Sequence, residues 1–298
     1  MKKYLHDFLE YYDFPMDSRA LLEEALAYIE ADKELHESFQ YFLKCYDEDI
    51  NYNLNILFEW MTGMGISFKA GIHEYTGYLL LIICLSKRLK NYYEAAGVSE
   101  EIWHTSMNDI KWKMLECKDV YGIYGIFVPG WYAEFFSMKR FGLGKLQFEL
   151  TLFGENYHKQ DVCLTPKSSV IDVHLPRTGT KLSREDMKEA YKKATDFFGT
   201  SFVDKPIVFV CNSWLLFPRN KEFLSPESNL YGFISDYEIV AQGEDGDYWN
   251  LWRVYGTHYM GDITQMPQVT SMQRAYAKWI KEDTNMGWGY GVYVYHDK

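Results

Sequence analysis

Near Asp119 the spacing of apolar residues changes period, and this change limits the possible folds more than any other feature of the chain. Before it, Leu21, Leu22, Ala25, Leu26 and Ile29 follow the 3, 4, 7 spacing of a helix face, with Asp17 or Ser18 placed to cap it. Phe39 and Phe42 continue the pattern. Ile56 to Trp60 predicts a helix ending in a Met64-Gly65 turn, and Ile72 to Tyr93 is the most apolar helical stretch. Ser99, followed by Glu100 and Glu101, opens another helix through Trp103, Met107, Ile110, Met114 and Cys117. After the change, Lys145 to Phe153 alternates: Leu146, Phe148, Leu150 and Leu152 share one face, expected to be core, and Lys145, Gln147, Glu149 and Thr151 the other. The reading is α+β, with an all-helical domain over residues 1–119 followed by a mixed β-sheet domain with flanking helices over residues 120–298.

Within the second domain, Ser169 to Gly199 is the organising unit. Val170 to Leu175 reads as a strand ended by Pro176, with Ile171, Val173 and Leu175 on one face and Val170, Asp172 and His174 on the other. Ser183 with Asp186 forms a capping-box signature, and Met187, Ala190, Tyr191, Ala194, Phe197 and Phe198 make a buried helix face that Gly199 is expected to stop. Pro206 to Trp214 is a near-continuous apolar run, expected as a buried strand parallel to Val170–Leu175 across the helical crossover. Tyr121 to Val128 also reads as β-rich. Asn220 to Tyr231 is a helix candidate, Asp236–Ala241 and Tyr248–Tyr255 a hairpin joined through Gly243 to Asp247, Thr270 with Gln273 the start of a last helix, and Trp288–Tyr295 a final strand.

The 298 residues carry a net charge of −11, with 12 basic against 21 acidic residues up to Asp119 and 19 against 21 beyond it. A phosphate backbone is repelled by the first part and weakly attracted by the second, so nucleic acid is not an expected partner. Five widely spaced cysteines support neither a disulfide framework nor a zinc knuckle and point to a reducing cytoplasm. The longest apolar run, Tyr78 to Leu85, is too short to span a bilayer, and no secretory signal is expected. His174, His258 and Cys211 lack metal-ligand spacing. The 25 tyrosines and nine tryptophans are read as core.

The words Gly144-Lys145-Leu146-Gln147-Phe148-Glu149, Val173-His174-Leu175-Pro176, Cys211-Asn212-Ser213-Trp214-Leu215-Leu216 and Ser228-Asn229 occur in an order and spacing that resemble a group of bacterial acyltransferase-domain proteins. In that group a helical N-terminal domain precedes a domain similar to the GNAT fold of acyl-CoA-dependent N-acyltransferases. The resemblance implies an acyl-CoA co-substrate, acetyl-CoA or another, no metal, and a small-molecule or peptide amine as acceptor, bound between the acidic helical domain and the sheet. It also implies two parallel strands that splay apart, a strand amide that polarises the thioester carbonyl, and a loop that meets the diphosphate. The strands are then Val170–Leu175, with Val173 and Leu175 against the cofactor, and Ile207–Trp214. The loop is Arg177, Thr178, Gly179, Thr180 and Lys181, which departs from the usual [QR]-x-x-G-x-[GA] signature. A crossover loop that merely needs polar residues and a glycine explains the same segment, and Ser183, Glu185 and Asp186 already occupy the helix donors behind it.

Acyl transfer to an amine needs a base, a polarised carbonyl and an acid for the leaving thiolate. Glu149 is the first base candidate, with a solvated surface glutamate as its plain alternative. Asp172 and His174 share a strand face, as a carboxylate beside an imidazole or a structural pair. Ser213 and Cys211 share a face of the neighbouring strand. A Cys211–His174 nucleophilic pair is a rival to a small core cysteine, and a His73–Glu74 acid/base pair a rival to a packing histidine. A non-catalytic binding or interaction module of the same fold is the alternative to an enzyme.

Overall fold

In the computed structural model, which describes residues 1–63, 71–159, 162–202, 206–245, 248–282 and 286–296, the chain divides into two compact units. One comprises Met1–Gly142 with Arg177–Gly179, the other Leu143–Pro176 with Thr180–Lys298. The division by packing thus falls after Gly142, well beyond the expected boundary at Asp119.

The helical unit holds α1 (Lys2–Tyr11), α2 (Met16–Ala31), α3 (Lys33–Glu48), α4 (Leu54–Gly63), α5 (Glu74–Ala95), α6 (Glu100–Tyr121) and the single turn α7 (Ala133–Phe136). Helix α5 is apolar all round from Leu79 to Leu85, where every residue is fully buried, and it packs against α1, α2, α3, α4 and α6. A stretch of helix without a polar face has to sit inside such a bundle. No described helix is long and apolar enough to cross a membrane. His73 is the N-cap of α5, its Nδ1 accepting the Tyr75 N–H at 3.1 Å, so capping and not acid/base work accounts for its place beside Glu74. Ser99 caps α6 by accepting the Ile102 N–H.

The run Tyr121–Val128 forms no strand. Gly122 takes φ +74° and closes α6, and the segment then follows the start of α5, where the Ile126 N–H donates to the Tyr75 carbonyl at 2.9 Å. Gly125 approaches so closely that a Cβ there would lie 2.5 Å from the Tyr75 carbonyl carbon. Packing on a helix displaced the alternation. Beneath α7 lies a buried polar group: the Tyr132 hydroxyl donates to Asp109 Oδ2 at 3.0 Å, and Arg140 lies 4.0 Å over the Trp131 ring while donating to the Trp131 carbonyl.

The sheet has the order β1-β2-β5-β6-β8-β7 among the described residues, built from β1 (Arg140–Leu143), β2 (Leu146–Leu152), β5 (Ser169–His174), β6 (Val208–Ser213), β7 (Glu238–Glu244) and β8 (Gly287–Val294), with β3 (Tyr157–Lys159) and β4 (Val162–Leu164) as a separate hairpin. Only β5 and β6 pair in parallel within the described ladders, across α8 (Arg184–Phe198) as expected. Along β2 the expected core face holds for Leu146 and Phe148 but fails at the strand end, where Leu152 is 60% exposed, and Gln147 on the polar face is buried. Helix α8 carries its capping box, Ser183 Oγ accepting from the Asp186 N–H and Asp186 Oδ2 from the Ser183 N–H. It ends at Phe198 with Gly199 as its C-cap, as expected. That residue stays right-handed (φ −54°) and the chain tightens into a 3₁₀ turn, leaving Phe197 only partly buried.

The expected hairpin is overturned. Strand β7 pairs with β8, Glu238 opposite Val292, while Trp252–Tyr255 is a helical turn, α10, that follows α9 (Asn229–Asp236) in the chain. Leu251, Val254 and Tyr255 lie three and four residues apart and pack with Tyr276, Ala277 and Trp279 of α11 (Ser271–Lys281), so helical spacing hid among aromatics. The helix expected over Asn220–Tyr231 is split into a 3₁₀ turn at Pro218–Glu222 and α9. The Met64-Gly65 turn lies outside the described residues, as do Gly246 and Asp247 of the supposed hairpin connection.

Candidate active site

The site is organised by where two neighbouring strands stop pairing. The parallel ladder between β5 and β6 consists of Ile171 opposite Phe209 and Asp172 opposite Val210, although β5 continues to His174 and β6 to Ser213. Antiparallel β2 and β5, by contrast, pair over six positions from Gln147–His174 to Leu152–Ser169. Beyond Asp172 the two parallel strands therefore leave each other.

Register assigns the faces, because residues directly opposite point the same way and neighbours along a strand alternate. Gln147 and Glu149 of β2, Asp172 and His174 of β5, Asn212 of β6 and Tyr290 of β8 share one face. Phe148, Val173, Phe209, Cys211 and Ser213 share the other, where Tyr191 of α8 lies 4.7 Å from the Phe209 ring centroid. On the first face Glu149 and Asp172 are direct cross-strand partners. The His174 Nε2 lies 3.7 Å from Glu149 Oε2 and 3.6 Å from Asp172 Oδ2. Side-chain exposures of 17% for His174, 15% for Glu149 and 25% for Asp172 leave this trio reachable but largely removed from bulk water. Asp172 also accepts the Val173 N–H on Oδ1 at 2.9 Å, so the strand amide expected to face a thioester carbonyl is engaged by its own neighbour.

Three of the four expected catalytic residues are thus brought together, and Ser213 is not. Its hydroxyl accepts the Leu215 N–H at 3.2 Å as the cap of a 3₁₀ turn, on the face opposite His174. Cys211 shares that face, is 1% exposed, and burial pushes its thiol well above the usual range. A Cys211–His174 nucleophilic pair is therefore excluded, since the sheet lies between them. Asn212 was missed from sequence: it is exposed at the point where the strands part and lies opposite Tyr290, whose phenol burial raises to about 12. That it shares the sheet face of His174 follows from counting register from the Asp172–Val210 pair.

The loop after β5 behaves differently from expectation. Leu175, Pro176, Thr180 and Lys181 belong to the sheet unit, whereas Arg177–Gly179 packs with the helical unit. There Arg177 Nη1 donates to Asp119 Oδ2 of α6 at 2.5 Å, with its guanidinium 5.9 Å from the Trp112 ring centroid. Gly179 has φ +70°, and a Cβ on it would fall 2.0 Å from the Trp112 ring. Lys145 donates to Asp186 Oδ2 at 2.9 Å and to the Lys181 carbonyl at 3.2 Å. That lysine, with the Ser183 N–H and hydroxyl, holds the Asp186 carboxyl down at about 2. No group of three or more His, Cys, Asp or Glu side chains suited to a metal occurs among the described residues.

Residues 3–138 match the N-acyltransferase N-terminal domain family, and residues 141–293 match the GNAT-like C-terminal domain family. No curated relative matches the sequence. Among solved structures, an acyltransferase in complex with decanoyl-CoA and teicoplanin superposes with a TM-score of 0.74 at 18% identity, over 97% of this chain and 86% of that one. A mutant acyltransferase in complex with octanoyl-CoA gives 0.75 at 17% identity, over 97% and 87%. An acyltransferase with CoA and 10C-teicoplanin gives 0.73 at 17% identity, over 97% and 86%. These likenesses establish a shared fold.

Proposed function

Because the chain belongs to the family in which an N-acyltransferase N-terminal domain precedes a GNAT-like C-terminal domain, we propose that it is an acyl-CoA-dependent N-acyltransferase acting on an amine. The observation that carries this reading is the parting of β5 and β6 beside Glu149, Asp172 and His174. Like charges directly across a strand pair are destabilising, so Glu149 opposite Asp172 is a local conflict of the kind that persists where chemistry needs it. The solved relatives hold decanoyl-CoA, octanoyl-CoA or CoA, which supports this class of donor, and two of them also hold teicoplanin or 10C-teicoplanin beside it.

In the proposed reaction the acceptor enters as an ammonium, and the two carboxylates attract it. Its proton passes to His174 or Glu149, and the freed nitrogen lone pair attacks the thioester carbonyl carbon. The adduct nitrogen gives up its second proton as the carbon–sulfur bond breaks, which leaves the neutral amide, and the thiolate takes a proton from the acid formed in the first step and leaves as CoA. Asp172 holds the imidazole in place, and Asn212, at the strand parting, offers a donor and an acceptor to the substrates. Val173 and Leu175 border the gap on the β5 side. All five cysteines are free thiols, which agrees with a reducing cytoplasm, the setting we propose.

The rival reading, a binding module that has lost the donor site, is favoured by one observation: Arg177 and the Ser183 and Asp186 N–H groups at the start of α8 already have partners within the chain. Calorimetry and thermal shift with octanoyl-CoA, together with colorimetric detection of CoA thiol release in the presence of amines, separate the two. A transferase gains about 2.7 kcal/mol of stability at a hundred times Kd and releases thiol. Absence of both effects at millimolar ligand rejects it.

A further inference from the structure

From the pairing of Arg177 with Asp119 we infer that Asp119 is an affinity-setting residue for the donor, a carboxylate occupying the guanidinium that a diphosphate would otherwise take. The inference rests on the acyl-CoA reading and goes beyond it by naming the residue that competes with the ligand. Four observations within the helical unit carry it. Arg177 Nη1 donates to Asp119 Oδ2, a charge-assisted bond between guanidinium and carboxylate. Both partners are half-exposed, at 41% and 49%, so a ligand can reach them and the pair is weak enough to exchange. Trp112, seven residues before Asp119 on α6 and hence on the same helix face, lies under the guanidinium. Gly179 closes against the same indole with no room for a side chain, which fixes the loop on α6 without using the arginine.

The chemistry of exchange is simple. A diphosphate carries more charge than a carboxylate and offers several acceptor oxygens to the same fork of N–H donors, so it outcompetes Asp119 at the cost of breaking one exposed pair. Lys145 is held by Asp186 and the Lys181 carbonyl, the Ser183 and Asp186 N–H groups at the start of α8 are used by its capping box, and Lys181 is an exposed point charge without the fork of a guanidinium. Arg177 is the guanidinium of the loop, and its partner is a half-exposed carboxylate that a ligand can displace. Asp119 lowers donor affinity by the strength of that pair and neutralises Arg177 when no donor is bound.

The test is calorimetric titration of CoA into the full chain as wild type, Asp119→Asn, Arg177→Gln and the double variant. Competition predicts that Asp119→Asn binds about two- to five-fold tighter, the range expected of an exposed ion pair. Arg177→Gln should bind about ten-fold or more weakly, and the double variant should match Arg177→Gln, since Asp119 acts only through the arginine. Unchanged or weaker binding by Asp119→Asn, with Arg177→Gln still impaired, overturns the inference and makes Asp119 a positioning residue for Arg177. Unchanged binding by Arg177→Gln also overturns it while leaving the transferase reading intact. Failure of the wild type to bind CoA removes both.

Discussion

Glu149 and Asp172 stand directly opposite one another on adjacent antiparallel strands, and the imidazole of His174 lies within 3.7 Å of the first carboxylate and 3.6 Å of the second. An imidazole set between two carboxylates can pass a proton to either, so the three side chains should act as one unit, with losses that do not add. His174→Gln is expected to lower the rate of thiol release by about 10²–10⁴-fold, the usual contribution of a positioned acid or base, while leaving CoA affinity within about two-fold. Glu149→Gln should behave similarly, and the double variant should be hardly worse than the more impaired single one. Steady-state kinetics with octanoyl-CoA and an amine, read beside calorimetry, checks this. A loss confined to KM contradicts it.

Cys211 provides a second check because its position settles what chemistry is possible. A thiol that burial holds protonated, on the sheet face covered by Tyr191, cannot be alkylated without unfolding. Brief treatment of the native protein with iodoacetamide should modify the exposed Cys163 and spare Cys211, as peptide mass mapping will report. Cys211→Ala should retain thiol release within about two-fold, with a stability loss of about 1 kcal/mol from the lost packing. Rapid labelling of Cys211 in folded protein defeats this assignment.

What could be read from the chain was what is local. The boxes at Ser183 with Asp186 and at Thr270 with Gln273 form as their spacing demands, because a cap depends on three or four consecutive residues. Partner choice is not local. Tyr248–Tyr255 offered β7 a strand-like sequence next door, yet β8, more than forty residues away, supplies the ladder, its Gly287, Gly289 and Gly291 admitting Phe217, Leu216 and Tyr237 where no Cβ fits. The same limit explains Ser213 and Asn212. Which of two successive residues on β6 faces His174 depends on the Ile171–Phe209 register across a helical crossover, and alternation along either strand alone is silent about it.

Acid should unlatch the start of α8 in a defined window. Asp186 sits at about 2, below its ordinary 3.8, through Lys145 first and Ser183 second. A carboxyl whose folded value is depressed adds stability that is fully present above the unfolded value and is lost as pH falls through the folded one. The difference in urea stability between wild type and Asp186→Asn should therefore be constant above about pH 5 and shrink between about pH 4 and pH 2. Raising salt should diminish it, since the pair with Lys145 is partly exposed. A difference that persists unchanged at pH 2 counts against the assignment.

Gly179 is the position where backbone and packing demands coincide, and the two can be separated. Its φ of +70° alone makes alanine unfavourable by about 1–2 kcal/mol, and the Trp112 ring, 2.0 Å from where a Cβ would fall, adds a collision that only movement of the indole relieves. Gly179→Ala should thus lower the melting temperature by several degrees, given about 2–4 °C per kcal/mol in a chain of this size. Trp112→Ala should cost stability by itself, through lost aromatic packing. In the double variant the collision disappears but the dihedral cost remains, so the combined loss should fall short of the sum of the single losses, with a coupling of about 1 kcal/mol or more. Simple additivity would mean that the loop does not rest on Trp112 in solution, and the anchoring of Arg177 beside Asp119 would then need another support.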